Sequence, residues 1–330
     1  MSLPEIALIT TGGTIAARPL PSGEVVVADS GEELLASVPE LAEVARVRLV
    51  ELFRIDSSLM TPQDMLEIAR RVRALDRDES LAGFVVAHGT DTMEESAYLV
   101  DLLYAGERPV VFTGAQRNAD DPAPDGPGNL LDAARIAASP EARGLGAVVA
   151  MAGRIDAARD ATKVHTTSLE AFSSLDRGKL GEVADGAVRI FRSRPRPLNL
   201  SATDAVEPRV ALVKLAAGMD GALLRAAREG GTAGIVLEAL GLGNANPGVV
   251  REVELCTEAG LPVLVVSRVP SGSVAPVYGD GGGSDLARAG ALFGGSLIGQ
   301  KARILLMVAL AARRRSGTPL EELLAPHLRI

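Results

Sequence analysis

Short apolar runs alternate along this chain with longer segments whose hydrophobic residues recur at helical spacing. This alternation is typical of βαβ units, in which helices cover both faces of a parallel sheet. In the first half, the apolar runs predict strands over 5–9, 46–53, 83–87, 109–113 and 146–150. The helical periodicity predicts helices over 30–38, 61–75, 92–104 and 127–138. The first half therefore predicts one sheet with its crossover helices.

The first half is followed by a stretch that has neither the periodicity of a strand nor that of a helix, and the alternation resumes after it. This stretch, from Arg192 to Pro208, contains three prolines and scattered polar residues, so we interpret it as a linker. Beyond it the pattern predicts strands over 209–213, 233–238 and 262–267, and helices over 219–229, 247–259, 284–291, 299–315 and 318–325.

These elements predict an α/β protein of two domains. The larger N-terminal domain, residues 1–192, is expected to hold a doubly wound, mostly parallel sheet. The linker covers 193–208, and a smaller C-terminal α/β domain with a parallel sheet covers 209–330. A chain of 330 residues is long enough to bury two substantial cores.

Composition narrows the class of function. The formal net charge of −8 at pH 7 argues against a nucleic-acid binder, because neutralising phosphates needs a surplus of Lys and Arg. The single cysteine, Cys256, excludes an intrachain disulfide and a cysteine-cluster metal site, and is expected to fill the core. With only three histidines, a metal centre is not expected. Neither a secretory leader nor a membrane span is indicated, so we expect a cytoplasmic protein.

Two glycine-containing segments place a threonine where a predicted strand ends and a helix begins. They are TTGGTIA, residues 10–16, and HGTDTMEE, residues 88–95. Ligands of α/β sheets bind beyond the carboxyl ends of the strands, where helix N-termini offer free N–H groups. We therefore expect Thr14 and Thr90 to face one crevice.

Each segment also has a purely structural interpretation. In the first, Gly12 and Gly13 would supply positive φ angles and Thr14 would cap a helix. In the second, Asp91 and Glu94 have the spacing of a capping box. That arrangement accounts for the acids, but it leaves His88, Thr90 and Thr92 unexplained.

Lys163 is one of only four lysines in the chain. A threonine hydroxyl is a poor nucleophile near neutral pH unless a base takes its proton, and arginine cannot serve because it stays charged. A desolvated lysine can. Thr90, Lys163 and Asp91 would then form a chain of hydroxyl, base and orienting carboxylate. The alternative for Lys163 is a surface salt bridge.

Seven segments, in order along nearly the whole chain, resemble the bacterial-type L-asparaginase and glutaminase family. No nucleophile elbow, phosphate-binding loop, dinucleotide fingerprint or zinc-binding helix motif competes with this resemblance. The seven segments are Thr11–Ala16, His88–Glu95, Thr113–Ala115, Asp125–Asn129, Asp160–Lys163, Gly243–Asn246 and Ser267–Gly272.

The resemblance implies hydrolysis of L-asparagine to L-aspartate and ammonia through a threonine acyl-enzyme, without metal or organic cofactor. L-glutamine is the second candidate substrate. By the resemblance, Thr14 is the nucleophile and Lys163 is the base. The backbone N–H of Thr90 helps to hold the developing oxyanion, and Asp91 binds the α-ammonium group.

The resemblance also implies how the substrate is held. Ser57 matches a serine that grips the α-carboxylate, and Asp56, Gly89 and Ala115 are grouped with it as substrate-binding residues. Asn246 matches an asparagine that a neighbouring subunit contributes. The implied assembly is a homotetramer built as a dimer of dimers.

Two residues that the family uses are missing from this sequence. The family's type II enzymes carry a tyrosine on the loop after the first motif, but residues 18–27 contain none. A glutamate supplied across the subunit boundary aligns near 278–280, where Tyr278 and Asp280 are the candidates to take over part of its role. Two alternatives stay open: an amino-acid-binding protein of the same fold with little turnover, and a related amidase or glutaminase with a larger substrate.

Overall fold

A computed structural model describes residues 3–19, 22, 24–27 and 29–328 of the chain. The chain divides into two compact units, Met1–Leu198 and Asn199–Ile330, and each is described by itself. Within the described residues, no helix has both the length and the apolar character that a membrane span requires.

The first unit contains every strand and helix that the pattern predicts there, with ends shifted by a few residues. Its strands are β1 (Glu5–Gly12), β2 (Ala17–Pro19), β3 (Val25–Val27), β4 (Arg46–Ile55), β5 (Leu81–Ala87), β6 (Val110–Thr113), β7 (Ala147–Met151), β8 (Arg154–Ala157), β9 (Thr162–Lys163), β10 (Phe172–Ser173), β11 (Gly181–Ala184) and β12 (Ala187–Ile190). Its helices are α1 (Gly31–Ala36), α2 (Leu41–Val44), α3 (Pro62–Leu75), α4 (Met93–Leu103) and α5 (Gly126–Ala138).

Eight of these strands form one mixed sheet in the order β12-β11-β8-β7-β6-β5-β1-β4. The five strands from β7 to β4 pair with one another in parallel, whereas β8, β11 and β12 add an antiparallel edge. The runs predicted over 5–9 and 83–87 are interior strands that pair with each other. The expected α/β fold with a mostly parallel sheet is confirmed.

Side chains that alternate along the strands bury one face of this sheet against α1, α2 and α5. Leu8, Val85 and Val148 are each at most 1% exposed and belong to one apolar cluster with Leu34 and Leu130. The predicted start of α3 is also present: the Thr61 side chain accepts the Asp64 N–H, and Pro62 follows it at the first helical position.

Arginine side chains hold the segment after β12 against the first unit. Arg192 Nε donates to the Lys179 carbonyl at 3.2 Å, and both Arg194 and Arg196 bond to the carboxylate of Asp101 on α4. These arginines alternate with Ser193 and Pro195, a spacing that hydrophobic periodicity does not detect. The first residues of the predicted linker thus pack on α4, and the linker bounds themselves stay a prediction.

The second unit holds a smaller sheet of four parallel strands in the order β13-β14-β15-β16. They are β13 (Val210–Lys214), β14 (Gly234–Ala239), β15 (Val263–Ser267) and β16 (Leu292–Phe293). Its helices are α6 (Ala222–Glu229), α7 (Pro247–Glu258), α8 (Gly283–Arg288), α9 (Gly299–Ser316) and α10 (Leu320–Leu328). Cys256 is fully buried in the core of this unit, as predicted.

Candidate active site

The two threonine segments leave the sheet at neighbouring strands. In the parallel pairing of β1 with β5, Thr10 lies opposite Ala87, and the hydroxyl of Thr11 donates to the Ala87 carbonyl at 3.0 Å. Gly13 and Gly89 therefore emerge from the same edge of the sheet. Thr14 and Thr90 are the next residues of the two segments.

Gly13 and Gly89 bring the backbones of these segments into direct contact. A β-carbon built on Gly13 would lie 2.3 Å from the Gly89 Cα, and Gly13 has a φ of +86°. Because both the space and the backbone angle exclude a side chain, only glycine fits here. The approach fixes the start of the Thr14 segment beside the segment that carries Thr90.

Thr14 begins a short 3₁₀ helix, Thr14–Ala16, and is partly exposed. Gly13, not Thr14, is the residue before this helix, and its φ and that of Gly12, +104°, are positive as predicted. Within the part of the chain that the structure describes, the Thr14 hydroxyl makes no hydrogen bond. The capping role considered for Thr14 is therefore not observed.

Lys163 lies beside the second threonine. Its Nζ is 2.8 Å from Thr90 Oγ1 and 2.9 Å from Asp91 Oδ1. The Lys163 side chain is 17% exposed, whereas that of Asp91 is 62% exposed. Lys163 is held there because β9 pairs with β10, which sets it opposite Phe172. The hydroxyl, the amine and the carboxylate thus form the chain that the sequence suggested.

Ser57 connects the end of β4 to the same group of residues. It is 3% exposed, its Oγ accepts the Asp91 N–H at 3.3 Å, and its carbonyl accepts the Thr92 hydroxyl at 2.8 Å. Asp56 accepts the Ser58 N–H at 2.8 Å, which fixes the turn after β4. The predicted residues Asp56, Ser57 and Asp91 are thereby brought together.

Gly89 leaves room for Ser57. A β-carbon on Gly89 would lie 2.5 Å from Ser57 Oγ. Ala115, in the loop after β6, is 1% exposed, and the preceding Gly114 lies beside Thr90, since a β-carbon there would be 3.5 Å from Thr90 Cγ2. The candidate substrate-binding residues of the first unit therefore surround the Thr90 segment.

The capping box predicted at the start of α4 does not form. The helix begins at Met93 with Thr92 as its N-cap, and no side chain caps it. The reason is that Asp91 bonds to Lys163 and the Thr92 hydroxyl bonds to Ser57. Glu94 is buried, with only 6% of its surface exposed. The interpretation of Asp91 and Glu94 as a capping pair was wrong.

His88 is fully buried immediately before the Gly89-Thr90-Asp91 sequence. Its Nδ1 lies 2.7 Å from the Gly89 carbonyl oxygen, and its Nε2 lies 2.9 Å from the Ser96 hydroxyl. Burial lowers the pKa of His88 to about 4, so the ring is neutral near pH 7. The sequence singled out His88 without assigning it a role.

The structure also shows an ion-pair link that the sequence did not predict. Arg18, on β2 just after the Thr14 segment, pairs with Asp29 at 2.5 Å and with Asp120 at 2.8 Å. The partners are up to 102 residues apart, and no sequence motif signals such a contact. Among the described residues, no group of three or more His, Cys, Asp and Glu side chains is arranged to hold a metal ion.

The remaining candidate residues belong to the second unit. Asn246 caps α7: its Oδ1 accepts the Val249 N–H at 3.1 Å, and its Nδ2 donates to the Met219 carbonyl at 2.7 Å. Tyr278 is 57% exposed, and Asp280 has a φ of +52°. The roles of all three at a subunit boundary stay predictions.

Comparison with known proteins identifies the family. A model described as asparaginase, N-terminal, matches residues 5–196, and one described as glutaminase/asparaginase C-terminal domain matches residues 209–323. The chain is 38% identical to a probable L-asparaginase of Deinococcus radiodurans, with 94% of each chain covered. It is 36% identical to an L-asparaginase of Bacillus licheniformis, covering 93% of this chain and 96% of the relative.

A solved structure agrees with these relatives. It is a probable cytoplasmic L-asparaginase from Campylobacter jejuni, which superimposes with a TM-score of 0.87 at 32% identity. The match covers 99% of this chain and 100% of that structure. Together with the two domain matches, these similarities show that the chain belongs to the asparaginase family.

Proposed function

We propose that this protein is an L-asparaginase that hydrolyses L-asparagine to L-aspartate and ammonia through an acyl-enzyme on Thr14. The observation that carries the proposal is the contact of Lys163 Nζ with both Thr90 Oγ1 and Asp91 Oδ1, at 2.8 and 2.9 Å. An amine held against a nearly buried hydroxyl is the arrangement that proton transfer to and from an amide requires.

In the first half-reaction, the Thr14 hydroxyl oxygen forms a bond to the side-chain amide carbon and gives up its proton. The tetrahedral intermediate carries an oxyanion, which the Thr90 backbone N–H stabilises. The C–N bond then breaks, and the leaving nitrogen takes the proton that Thr14 gave up and departs as ammonia. The product is an aspartyl ester of Thr14.

In the second half-reaction, water takes the place of Thr14 as nucleophile. Lys163, acting as the base, accepts the proton of the Thr90 hydroxyl, so that Thr90 can in turn take a proton from the attacking water. The ester C–O bond breaks, L-aspartate is released, and the proton held by Lys163 passes back to the Thr14 oxygen, which restores its hydroxyl. Asp91 orients the Lys163 side chain through its 2.9 Å contact with Nζ.

A free amino acid must be held at both charged ends before its amide is positioned. We assign the α-carboxylate to Ser57 and the α-ammonium group to Asp91, whose carboxylate is exposed enough to meet a ligand. Asp56, Gly89 and Ala115 shape this part of the site. A neighbouring subunit of a homotetramer contributes Asn246, and the enzyme works in the cytoplasm.

Asparagine and glutamine differ by one methylene group, which a pocket distinguishes by about 1–3 kcal/mol. We assign asparagine as the preferred substrate because the relatives described above bear the name L-asparaginase.

The test is release of ammonia and L-aspartate from millimolar L-asparagine by the purified, folded protein, with L-glutamine measured in parallel. Release of both products supports the proposal. Calorimetric binding of L-asparagine without ammonia release would contradict it, and would select the amino-acid-binding protein instead.

A further inference from the structure

His88 is a buried polar residue that the proposed reaction does not use. Its neighbours fix it from several sides. The backbone N–H of His88 donates to the Thr113 carbonyl at 2.9 Å, and the imidazole ring lies 6.1 Å from the Phe112 ring, centroid to centroid. The Ser96 hydroxyl on α4 lies 2.9 Å from Nε2. A neutral imidazole that is held this firmly can in turn hold its own hydrogen-bond partners in place.

The hydrogen bonds of His88 determine which ring nitrogen carries the proton. The Gly89 carbonyl can only accept, so the Nδ1 at 2.7 Å must donate to it. In a neutral ring the other nitrogen is then an acceptor, and the Ser96 hydroxyl donates to Nε2. The chain of donors therefore runs from Ser96 through His88 to the Gly89 carbonyl.

The Gly89 carbonyl and the Thr90 N–H belong to the same peptide group. A trans peptide is planar, and its C=O and N–H bonds point in opposite directions within that plane. No cis peptide occurs among the described residues. A hydrogen bond that fixes the direction of the carbonyl therefore also fixes the direction of the N–H on the other side.

The Thr90 N–H has no acceptor among the described residues, although Thr90 is only 5% exposed. Buried backbone donors are nearly always paired, so an N–H left open at this edge of the sheet is available for a ligand. The next N–H along the chain, that of Asp91, is already taken by Ser57 Oγ at 3.3 Å.

We propose that His88 is a positioning residue, which holds the Gly89–Thr90 peptide plane so that the Thr90 N–H points at the oxyanion. This inference rests on the proposed function for the identity of the oxyanion. His88 does not touch the substrate. It acts through the peptide group, and it contributes mainly in the transition state, where charge develops on the amide oxygen.

Two amide substitutions separate the two nitrogens of the ring. The Nδ2 of asparagine is as many bonds from Cα as Nδ1 of histidine, so H88N keeps a donor for the Gly89 carbonyl. The Nε2 of glutamine corresponds instead to Nε2 of histidine, so H88Q loses the donor at the Nδ1 position. S96A removes only the contact at the other side of the ring.

We expect H88Q to lower kcat about 10- to 100-fold, somewhat less than loss of an oxyanion donor itself, with KM within about 3-fold of the wild type. H88N and S96A should keep kcat within about 3-fold. Equal losses of kcat in H88N and H88Q, or an unchanged kcat in H88Q, would overturn the proposal. A loss in S96A as large as in H88Q would do so as well.

Crystal structures of H88N and H88Q test the proposal without relying on enzyme activity. The Gly89–Thr90 peptide plane should turn away from its wild-type direction in H88Q and stay in place in H88N. An unchanged plane in H88Q would contradict the positioning role. This result is independent of whether L-asparagine is the substrate, whereas absence of ammonia release by the wild type would count against the proposed function alone.

Discussion

Lys163 Nζ lies 2.8 Å from Thr90 Oγ1, although 73 residues separate the two along the chain. One comes from the short hairpin of β9 and β10, and the other from the loop after the interior strand β5. The hydrophobic pattern predicts the strand but not the hairpin. Whether this amine works as a base or as a partner in a salt bridge can be decided by substitution.

K163R and K163M separate these two roles. Arginine keeps the positive charge for Asp91 but does not lose its proton near neutral pH, and methionine removes the charge as well. If Lys163 is a base, both variants should lose about two to four orders of magnitude in kcat. Steady-state ammonia release measures this.

The matched control is K179M. Lys179 also belongs to the first unit and pairs with an acid, Glu182, away from the threonine segments. Its kcat should stay near the wild-type value. Full activity in K163R would show that the side chain serves only as a cation.

Gly13→Ala tests the contact between the two threonine segments. The added β-carbon would lie 2.3 Å from the Gly89 Cα at a φ of +86°, so both a clash and backbone strain result. Gly178→Ala is the control, because Gly178 has a φ of +67° with nothing within 4 Å of the added carbon.

We expect the free energy of unfolding in urea to fall by about 1 kcal/mol in Gly178→Ala, from strain alone. In Gly13→Ala it should fall by about 3 kcal/mol or more, because buried backbone must also move. Equal losses in the two variants would show that the segments do not depend on this close approach.

The burial of His88 predicts a specific dependence of stability on pH. Its pKa is lowered from 6.5 to about 4 in the folded protein, so between these values the unfolded chain binds more protons. The stability that a neutral His88 provides is therefore complete above about pH 6.5 and is lost as the pH falls toward 4. Between pH 7 and pH 5 the loss from this residue should be about 2 kcal/mol.

Urea unfolding at pH 7 and pH 5 measures this loss. The comparison is H88N, which does not titrate in this range and should lack this part of the pH dependence. A wild-type protein and an H88N variant with the same pH dependence would show that the His88 ring takes up its proton as readily when folded as when unfolded.

The interior strands could be predicted from the sequence because their residues are apolar on both faces. The runs over 5–9 and 83–87 are of this kind, and the structure extends them to Glu5–Gly12 and Leu81–Ala87. The antiparallel edge strands β11 and β12 could not be predicted in this way. They are short and partly exposed, so they carry little periodicity.

The candidate site was predictable where glycine and threonine follow a strand, because strand order then brings those positions together. The capping box was mispredicted because a spacing of three residues does not reveal that Asp91 has a tertiary partner, Lys163. The link from Arg18 to Asp120 likewise arises only from folding. Local spacing specifies backbone shape, whereas these polar partners depend on the tertiary structure.

The most direct test of the account is whether the acyl group forms on Thr14. Rapid acid quenching of the protein during turnover of L-asparagine, followed by peptide mass spectrometry, locates any covalent intermediate. We predict an aspartyl group on the peptide that contains Thr14, and neither adduct nor ammonia release in a folded T14A variant. An adduct on Thr90 or on another residue, or a T14A variant with the wild-type rate, would contradict the account.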